Sequence, residues 1–159
     1  MQRDFVKYHA NGNDFIVFNQ CAGRSYDLHE PDVAQKLCHR QFGVGADGIL
    51  TLDKQEGYDF QLCHYNADGS PGGGLCGNGS RVALHYAQHL GLIQEQGRFL
   101  AIDGPHTGSV VAGKVHVQLS DVTSIRSVNQ GYFVDNGTAH YVQFVKDCLL
   151  YTSPSPRDA

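Results

Sequence analysis

Residues 66–81 read NADGSPGGGLCGNGSR, and they decide the fold because a glycine-rich loop changes here into a helix. Apolar residues then recur at helical spacing, at Val82, Tyr86 and Leu90. We therefore predict a helix over residues 77–90, buried on the face that these side chains share. Cys76 directly precedes this helix, so the sequence places its thiol at a helix N-terminus.

The chemistry expected of Cys76 follows from that position. Unpaired backbone N–H groups and the positive end of the helix dipole favour a thiolate, and the same groups can hold a carboxylate. The surrounding glycines let a ligand approach the backbone, and Asn78 adds an amide that both donates and accepts. A cysteine is more often a small buried apolar residue, but these flanks offer few apolar neighbours to bury it. The sequence therefore predicts a site for chemistry on a small acid.

The bulk properties fit one ordinary domain of 159 residues. A formal charge of -4, without a Lys/Arg run, argues against nucleic acid or an anionic membrane as a partner. The N-terminus lacks the apolar core of a signal peptide and no stretch is long enough to span a membrane, so we expect a cytoplasmic protein. Five cysteines without paired spacing are expected to be free thiols.

Toward the N-terminus the pattern predicts a hairpin and then a helix. Short strands at 2–8 and 15–19 flank a turn at 9–14, in which Asn-Gly is a strong hairpin signal. Asn13 in this turn can be understood as a turn former alone. The helix is predicted over residues 31–41, where a proline suits the first turn.

Two motifs are weak evidence for a nucleotide or a metal. Residues 43–48 match the G-x-G-x-x-G pattern, but a helix precedes them and a strand follows at 49–52, which reverses the order that a dinucleotide site needs. His85 and His89 have the spacing of a zinc pair, but the glutamate of that motif and a third ligand are missing. We therefore expect no metal and interpret both histidines as part of a solvated helix face.

The rest of the chain is predicted to be mainly strands. They lie at 58–65, 98–102, 109–112, 114–119, 131–134 and 139–145, with turns at Gly104-Pro105 and Gly113. The predicted fold is α+β: a mixed, mostly antiparallel, strongly curved sheet wrapped around the helix 77–90, with the smaller helix at 31–41. Residues 148–159 carry two prolines and no periodicity, so we expect a disordered tail, with foreign sequence as one origin to consider.

Five motifs resemble those of the diaminopimelate epimerase family. They are GNDF at 12–15, RQFGVGADG at 40–48, YNADGS at 65–70, CGNGSR at 76–81 and NGTAH at 136–140. Each motif alone is weak, but their order and spacing together are specific to the family. The likeness runs from residue 1 to about 147, and it indicates an N-terminal epimerase-like domain over residues 1–147.

The resemblance implies a cofactor-independent conversion of LL-diaminopimelate to the meso form, a step toward lysine and peptidoglycan precursors. A thiolate on one face of the substrate removes the α-proton, and a thiol on the other face returns one. The matching residues are Cys76 as the first thiol, His140 as its assistant, and Asn13, Asn66, Gly77 and Asn78 as substrate-binding residues. The implied partner is this small-molecule substrate, with no nucleic acid and no membrane, and a homodimer stays open.

The length departs from the family and leaves alternatives open. Family members have a second, similar domain that supplies the opposing cysteine, and Cys148 falls too early and lacks its Gly-Thr/Ser-Gly context. We therefore expect an N-terminal fragment that is inactive alone. One alternative is a related racemase or isomerase of the same fold. The other is a non-catalytic binding module for small amino acids, built on Asn13, Asn66 and the helix N-terminus.

Overall fold

The computed structural model of the chain describes residues 4–23 and 30–145. The predicted tail at 148–159 lies outside the described residues. The chain divides into two compact units between Leu119 and Ser120. The domain predicted over residues 1–147 spans both units, and its extent stays a prediction.

Seven strands and two helices make up the described part of the first unit. In chain order they are β1 (Val6–Ala10), β2 (Asn13–Asn19), α1 (Pro31–Cys38), β3 (Gly48–Asp53), β4 (Phe60–Asn66), α2 (Gly77–His89), β5 (Gln96–Ala101), β6 (Gly104–Val111) and β7 (Lys114–Val117). The strands form one sheet in the order β1 to β7. Strands β2 and β3, and β4 and β5, pair in parallel, while the other neighbours are antiparallel. The two parallel pairs are those joined through a helix, because parallel neighbours need a crossover connection.

The sheet curls around α2. This helix contacts both edge strands, β1 and β7, and also β2, β3, β4 and β6, which a flat sheet could not achieve. The predicted face is confirmed, since Val82 and Tyr86 are buried and Leu90 packs against the same core. The helix is enclosed more fully than predicted, because Ala83, Leu84 and Ala87 are also buried. The predicted α+β fold, a mixed and mostly antiparallel curved sheet around a central helix, is confirmed.

Helix α1 covers the outer face of the sheet. On β2, Phe15 and Val17 belong to the core around α2, whereas Ile16 and Phe18 belong to a second cluster with Ala34 of α1. Alternate residues of a strand point to opposite faces, so β2 is buried on both sides. This double burial explains why residues 15–18 form an unbroken apolar run.

The hairpin before α1 is tighter than predicted. Its loop consists of Asn11 and Gly12 alone, with φ values of 54° and 84°, as two-residue hairpin loops with Asn-Gly require. The turn therefore does not extend over residues 9–14. Asn13 opens β2, and the interpretation of this residue as a turn former alone was wrong because its side chain bonds to other elements.

Residues 43–47 of the glycine-rich segment belong to the turn between α1 and β3, and Gly48 begins β3. Helix α1 ends at Cys38 and not at the predicted residue 41. A Cβ on Gly43 would lie 2.0 Å from the Lys36 carbonyl oxygen, so only glycine lets the chain fold back over the helix end. Backbone N–H groups of Gly45 and Ala46 bond to the carbonyls of Leu37 and Cys38. The glycines are thus used for a close turn.

The predicted turn at Gly104-Pro105 was wrong by two residues. Ala101 pairs with Gly104, so Ile102 and Asp103 form the loop and Gly104 begins β6. Gly104 has a φ of 126°, a conformation that favours glycine. The glycine that predicted the turn is therefore the first residue of β6, next to the loop.

The second unit contains β8 (Ile125–Val128), β9 (Gly131–Asp135) and β10 (Ala139–Val142) in its described part. They form an antiparallel sheet in the order β10, β9, β8. The sequence predicted β9 and β10 but missed β8. Its hairpin loop is Asn129-Gln130, with Asn129 at a φ of 52°, and lacks the glycine that would have signalled it.

Candidate active site around Cys76

Cys76 caps the N-terminus of α2, as the sequence predicts. Its backbone is extended, with a φ of -88° and a ψ of 104°, and its Sγ accepts the backbone N–H of Gly79 at 3.3 Å. Cys76 is half-buried. The sulfur therefore takes one of the amide donors that a helix leaves unpaired at its N-terminus. This contact joins the side chain of Cys76 to the first turn of α2.

A cavity of about 490 Å³ lies beside Cys76. It is lined by Pro31, Gln61, Leu62, Cys63, His64, Tyr65, Gly69, Ser70, Pro71, Gly72, Gly74, Leu75, Cys76, Ala101 and Ile102. Its volume is within the range of small-molecule sites. The space opens because β4 and β5 pair only at Phe60 and Gln61, after which the loop that carries Cys76 follows the β4 edge.

The amides of Asn13 and Asn78 meet across the elements that carry them. Asn78, in the first turn of α2, donates through Nδ2 to Oδ1 of Asn13 at 3.1 Å. Asn13 in turn donates through Nδ2 to Oδ2 of Asp47 at 2.8 Å. At the other end, Arg81 donates to Oδ1 of Asn78. The structure thus joins two of the predicted binding residues in one chain of hydrogen bonds.

Ionic contacts hold the Asp47 end of this chain. Arg40 contacts Asp14 at 2.9 Å and Asp47 at 2.8 Å, and Lys7 contacts Asp14 at 2.8 Å. The Asp47 backbone N–H also donates to the Asp14 carboxylate at 3.0 Å. The Arg40 hydrogen bond is the main reason that the pKa of Asp14 lies well below its usual range, and the Lys7 hydrogen bond adds to this effect.

Neither Asn66 nor Gly77 lines the cavity beside Cys76, and the two residues lie on different elements. Asn66 ends β4, and its Nδ2 donates to Oγ of Ser70 at 3.0 Å, which helps to close the turn toward Cys76. No hydrogen bond among the described residues joins Asn66 to Cys76 or Asn13. Gly77 is the first residue of α2, and a Cβ there would make only ordinary contact with Arg81. Its predicted role depends on its backbone N–H and does not require it to be glycine.

His140 belongs to the second unit. It is exposed on β10, and its Nε2 lies 3.1 Å from Oδ1 of Asn136. Both residues come from the NGTAH motif, so this contact is local to the motif. The assisting role of His140 stays a prediction.

His85 takes part in a contact that the sequence did not indicate. Its Nδ1 lies 3.3 Å from the Tyr8 hydroxyl. Within residues 4–23 and 30–145, no group of three or more His, Cys, Asp or Glu side chains is placed to hold a metal ion. In the same part of the chain, no helix is long and apolar enough to cross a membrane.

Sequence reasoning missed Asp47, Arg40 and Arg81 as parts of this site. Asp47 and Arg40 stand in the RQFGVGADG motif and Arg81 ends CGNGSR, so the signal was their place inside motifs that had already been noted. The contacts of Asp47 with Asn13 and of Arg40 with Asp14 could not be deduced, because these partners lie 34 and 26 positions apart in the chain. The contact of Arg81 with Asn78 depends on the helix register.

Solved structures define the class first. A phenazine biosynthesis protein of the PhzF family from Bacillus anthracis superposes with a TM-score of 0.54 at 13% identity, over 76% of this chain and 42% of that chain. A phenazine biosynthesis PhzC/PhzF protein from Clostridium difficile gives 0.55 at 12% identity, over 83% and 54%. The fold of this chain is therefore similar to the curled, mixed-sheet fold of these PhzF-type proteins.

Sequence comparison then gives the family. The diaminopimelate epimerase model matches residues 5–134. The diaminopimelate epimerase of a Nitratiruptor species is 40% identical over 147 residues, covering 89% of this chain and 57% of the relative. That of Flavobacterium psychrophilum is 34% identical over 139 residues, covering 87% and 54%. The chain belongs to the diaminopimelate epimerase family, and it spans just over half the length of these relatives.

Proposed function

We propose that this chain is the N-terminal part of a cofactor-independent, cytoplasmic diaminopimelate epimerase, with Cys76 as one of its two proton-transferring thiols. The observation that carries the proposal is the position of Cys76, whose Sγ accepts a hydrogen bond at the N-terminus of α2 and borders a cavity. Family membership supports diaminopimelate as the substrate, since the relatives are named for it. The step belongs to the synthesis of lysine and peptidoglycan precursors.

The proposed step removes one proton from the α-carbon of the substrate on one face and adds a different proton on the other face. The Cα–H bond breaks as the Cys76 thiolate takes the proton, and the electron pair shifts toward the substrate carboxylate. A second thiol, on the opposite face, then gives its proton to Cα, which inverts the centre. Each well-placed donor to the developing charge is worth about 10²-fold or more in rate, by analogy with oxyanion holes.

The binding groups follow from the same helix terminus. The backbone N–H groups at Gly77 and Asn78 lie at the first turn of α2, where a carboxylate is stabilised by unpaired donors and the helix dipole. The side-chain oxygens of Asn13 and Asn66 are candidates for the substrate ammonium. His140 keeps the assisting role that the family resemblance gives it.

Protection of Cys76 from alkylation tests the binding half of the proposal. We expect LL-diaminopimelate to slow the reaction of Cys76 with iodoacetamide while leaving Cys21 unaffected, because Cys21 does not line the cavity. A Cys63→Ser variant is the matched control, since Cys63 borders the same cavity and its removal should preserve the protection. Equal labelling of Cys76 with and without the substrate would contradict the proposal.

A chain with one thiol face should not epimerise. Incubation of the 159-residue chain with LL-diaminopimelate in deuterated buffer is expected to give no meso form. The reason is that the family resemblance assigns the second thiol to a further domain, and this chain covers 57% of the length of a relative. Conversion at the rate of a full-length relative would show that the chain supplies both faces.

A binding module remains the second candidate, favoured by the single thiol that the described part of the site places at a helix terminus. It predicts that Cys76→Ser leaves substrate binding nearly unchanged and that Cys76 reacts like an ordinary thiol. If the chain belongs instead to a related racemase or isomerase, an acid other than diaminopimelate should protect Cys76 from alkylation. A panel of amino acids in the alkylation assay separates these cases.

A further inference from the structure

We infer that Asp47 and Arg81 are positioning residues that fix the side-chain amides of Asn13 and Asn78 in one orientation. The inference rests on the proposed function, in which these two amides hold the substrate. The inference is based on a continuous run of hydrogen bonds from Arg81 through Asn78 and Asn13 to Asp47, which we call the amide relay.

Asp47 and Arg81, at the two ends of the amide relay, allow only one orientation of the two side-chain amides between them. An ionised carboxylate accepts hydrogen bonds and cannot donate, so Asp47 requires the nitrogen of Asn13 to face it. A guanidinium donates and cannot accept, so Arg81 requires the oxygen of Asn78. The central bond, from Nδ2 of Asn78 to Oδ1 of Asn13, is the one that satisfies both ends. A flip of either amide would place two donors or two acceptors face to face.

The charged ends also strengthen the groups that remain for a ligand. Asp47 draws on one Asn13 proton and makes the Asn13 oxygen a better acceptor, while Arg81 makes the Asn78 nitrogen a better donor. Each amide keeps one N–H and each oxygen one lone pair beyond the relay. An amino acid with its ammonium toward Asn13 and its carboxylate toward Asn78 matches this polarity.

Asp47 is itself held from outside the site. Its Oδ1 accepts from Arg40 at 2.8 Å, while its Oδ2 accepts from Asn13 and from the Asp14 backbone N–H. Asp14 shares Arg40 with Asp47 and accepts the Asp47 backbone N–H, but no hydrogen bond among the described residues joins its carboxylate to the Asn13 side chain. The pair Asp47 and Asp14 therefore separates two effects, because both are carboxylates of one ionic cluster and only Asp47 touches the relay.

The side-chain amide NMR signals of Asn13 and Asn78 in the 159-residue chain test the relay without a ligand. Asp47→Asn keeps the shape of the side chain but lets its amide face either way, so we expect the Asn78 signals to shift or broaden although residue 47 does not touch Asn78. Asp14→Asn should leave them in place. Arg81→Met should have the effect of Asp47→Asn, and Arg81→Lys, which keeps a donor-only charge, should restore the original signals.

Titration with LL-diaminopimelate separates this inference from the proposed function. We expect binding to weaken by about tenfold in Asp47→Asn, which loses the charge-assisted hydrogen bond to Asn13. In Asp14→Asn, which keeps that hydrogen bond, binding should weaken by less than about twofold. Unchanged Asn78 signals in Asp47→Asn would overturn the relay, whatever the ligand does. Relay signals that respond as expected in a chain that binds no diaminopimelate would leave the relay standing and contradict the proposed function.

Discussion

At the scale of single residues, the site depends on charges that are placed beside neutral amides. Asp14 is about four-fifths shielded from solvent, with a side-chain exposure of 20%, and it bonds to both Lys7 and Arg40. These bonds connect β1 and β2 to Arg40 in the turn after α1. This turn is not part of any strand pair of the sheet. The ionic cluster therefore adds side-chain contacts between the turn after α1 and the first two strands.

Asp14→Asn should lower the free energy of unfolding at pH 7 by about 1–2 kcal/mol, the range for hydrogen bonds to charged groups at a partly exposed position. Because the pKa of Asp14 is lowered in the folded chain, its contribution is fully present above the ordinary aspartate pKa. The contribution is lost as the pH falls below that value. Urea unfolding of both proteins from pH 7 to pH 3 should show the difference shrinking below about pH 4; a difference that grows there would be the opposite result.

His64 gives the second residue-scale prediction. Its Nδ1 is buried without a hydrogen-bond partner among the described residues, its ring packs edge-on against Phe15, and burial lowers its pKa. His64 therefore binds a proton more readily in the unfolded chain than in the folded chain. The free energy of unfolding should fall as the pH drops below about 6.5.

His64→Phe removes this titration while keeping a ring of similar size. We expect the variant to lose less stability than the parent between pH 7 and pH 5, by about 1 kcal/mol, in thermal or urea unfolding. Parallel pH profiles for the two proteins would show that His64 does not carry the effect.

At the scale of elements, the loop from Gly69 to Cys76 is shaped by its contact with β4. Backbone bonds run from Gly72 N–H to the His64 carbonyl and from Asn66 N–H to the Ser70 carbonyl, both at 2.8 Å. Gly72 lies directly on the His64 ring, and a Cβ there would be 2.6 Å from Nδ1. Gly73, its neighbour, has no heavy atom within 4 Å of such a Cβ.

Gly72→Ala and Gly73→Ala form a matched pair within one loop. The first should lower stability by about 1–3 kcal/mol through overpacking against a buried ring. The second should change it by less than about 0.5 kcal/mol, as for a surface substitution away from packed groups. Thermal unfolding of both variants gives the answer, and equal losses would show that the loop does not rest on His64.

The element scale also shows what the sequence could predict. The helix at 77–90 and the Asn-Gly hairpin followed from local signals, since apolar spacing and positive φ are encoded in neighbouring residues. The strand at 125–128 and the end of α1 did not, because a non-glycine hairpin loop and a tight turn over a helix end leave weak local signals. Cys76 was placed correctly for the same reason as its helix, whereas Asp47 and Arg81 gain their place only when distant segments meet.

At the scale of the whole molecule, the described chain offers one curled half-barrel around α2 and a separate three-stranded sheet. It covers 54–57% of the length of the relatives above. The proposed function gives this chain one thiol of a two-thiol reaction, and the proposal depends on the reactivity of Cys76.

The central claim is tested most directly by the rates at which the thiols of the unliganded chain react with iodoacetamide at pH 7, followed site by site by mass spectrometry. Burial raises the pKa of Cys21 and of Cys38, so both are expected to react slowly, and they serve as internal standards. Cys76, half-buried at a helix N-terminus, should react at least about tenfold faster than either, because the thiolate is the reactive form. A Cys76 that is labelled no faster than Cys38 would contradict the account.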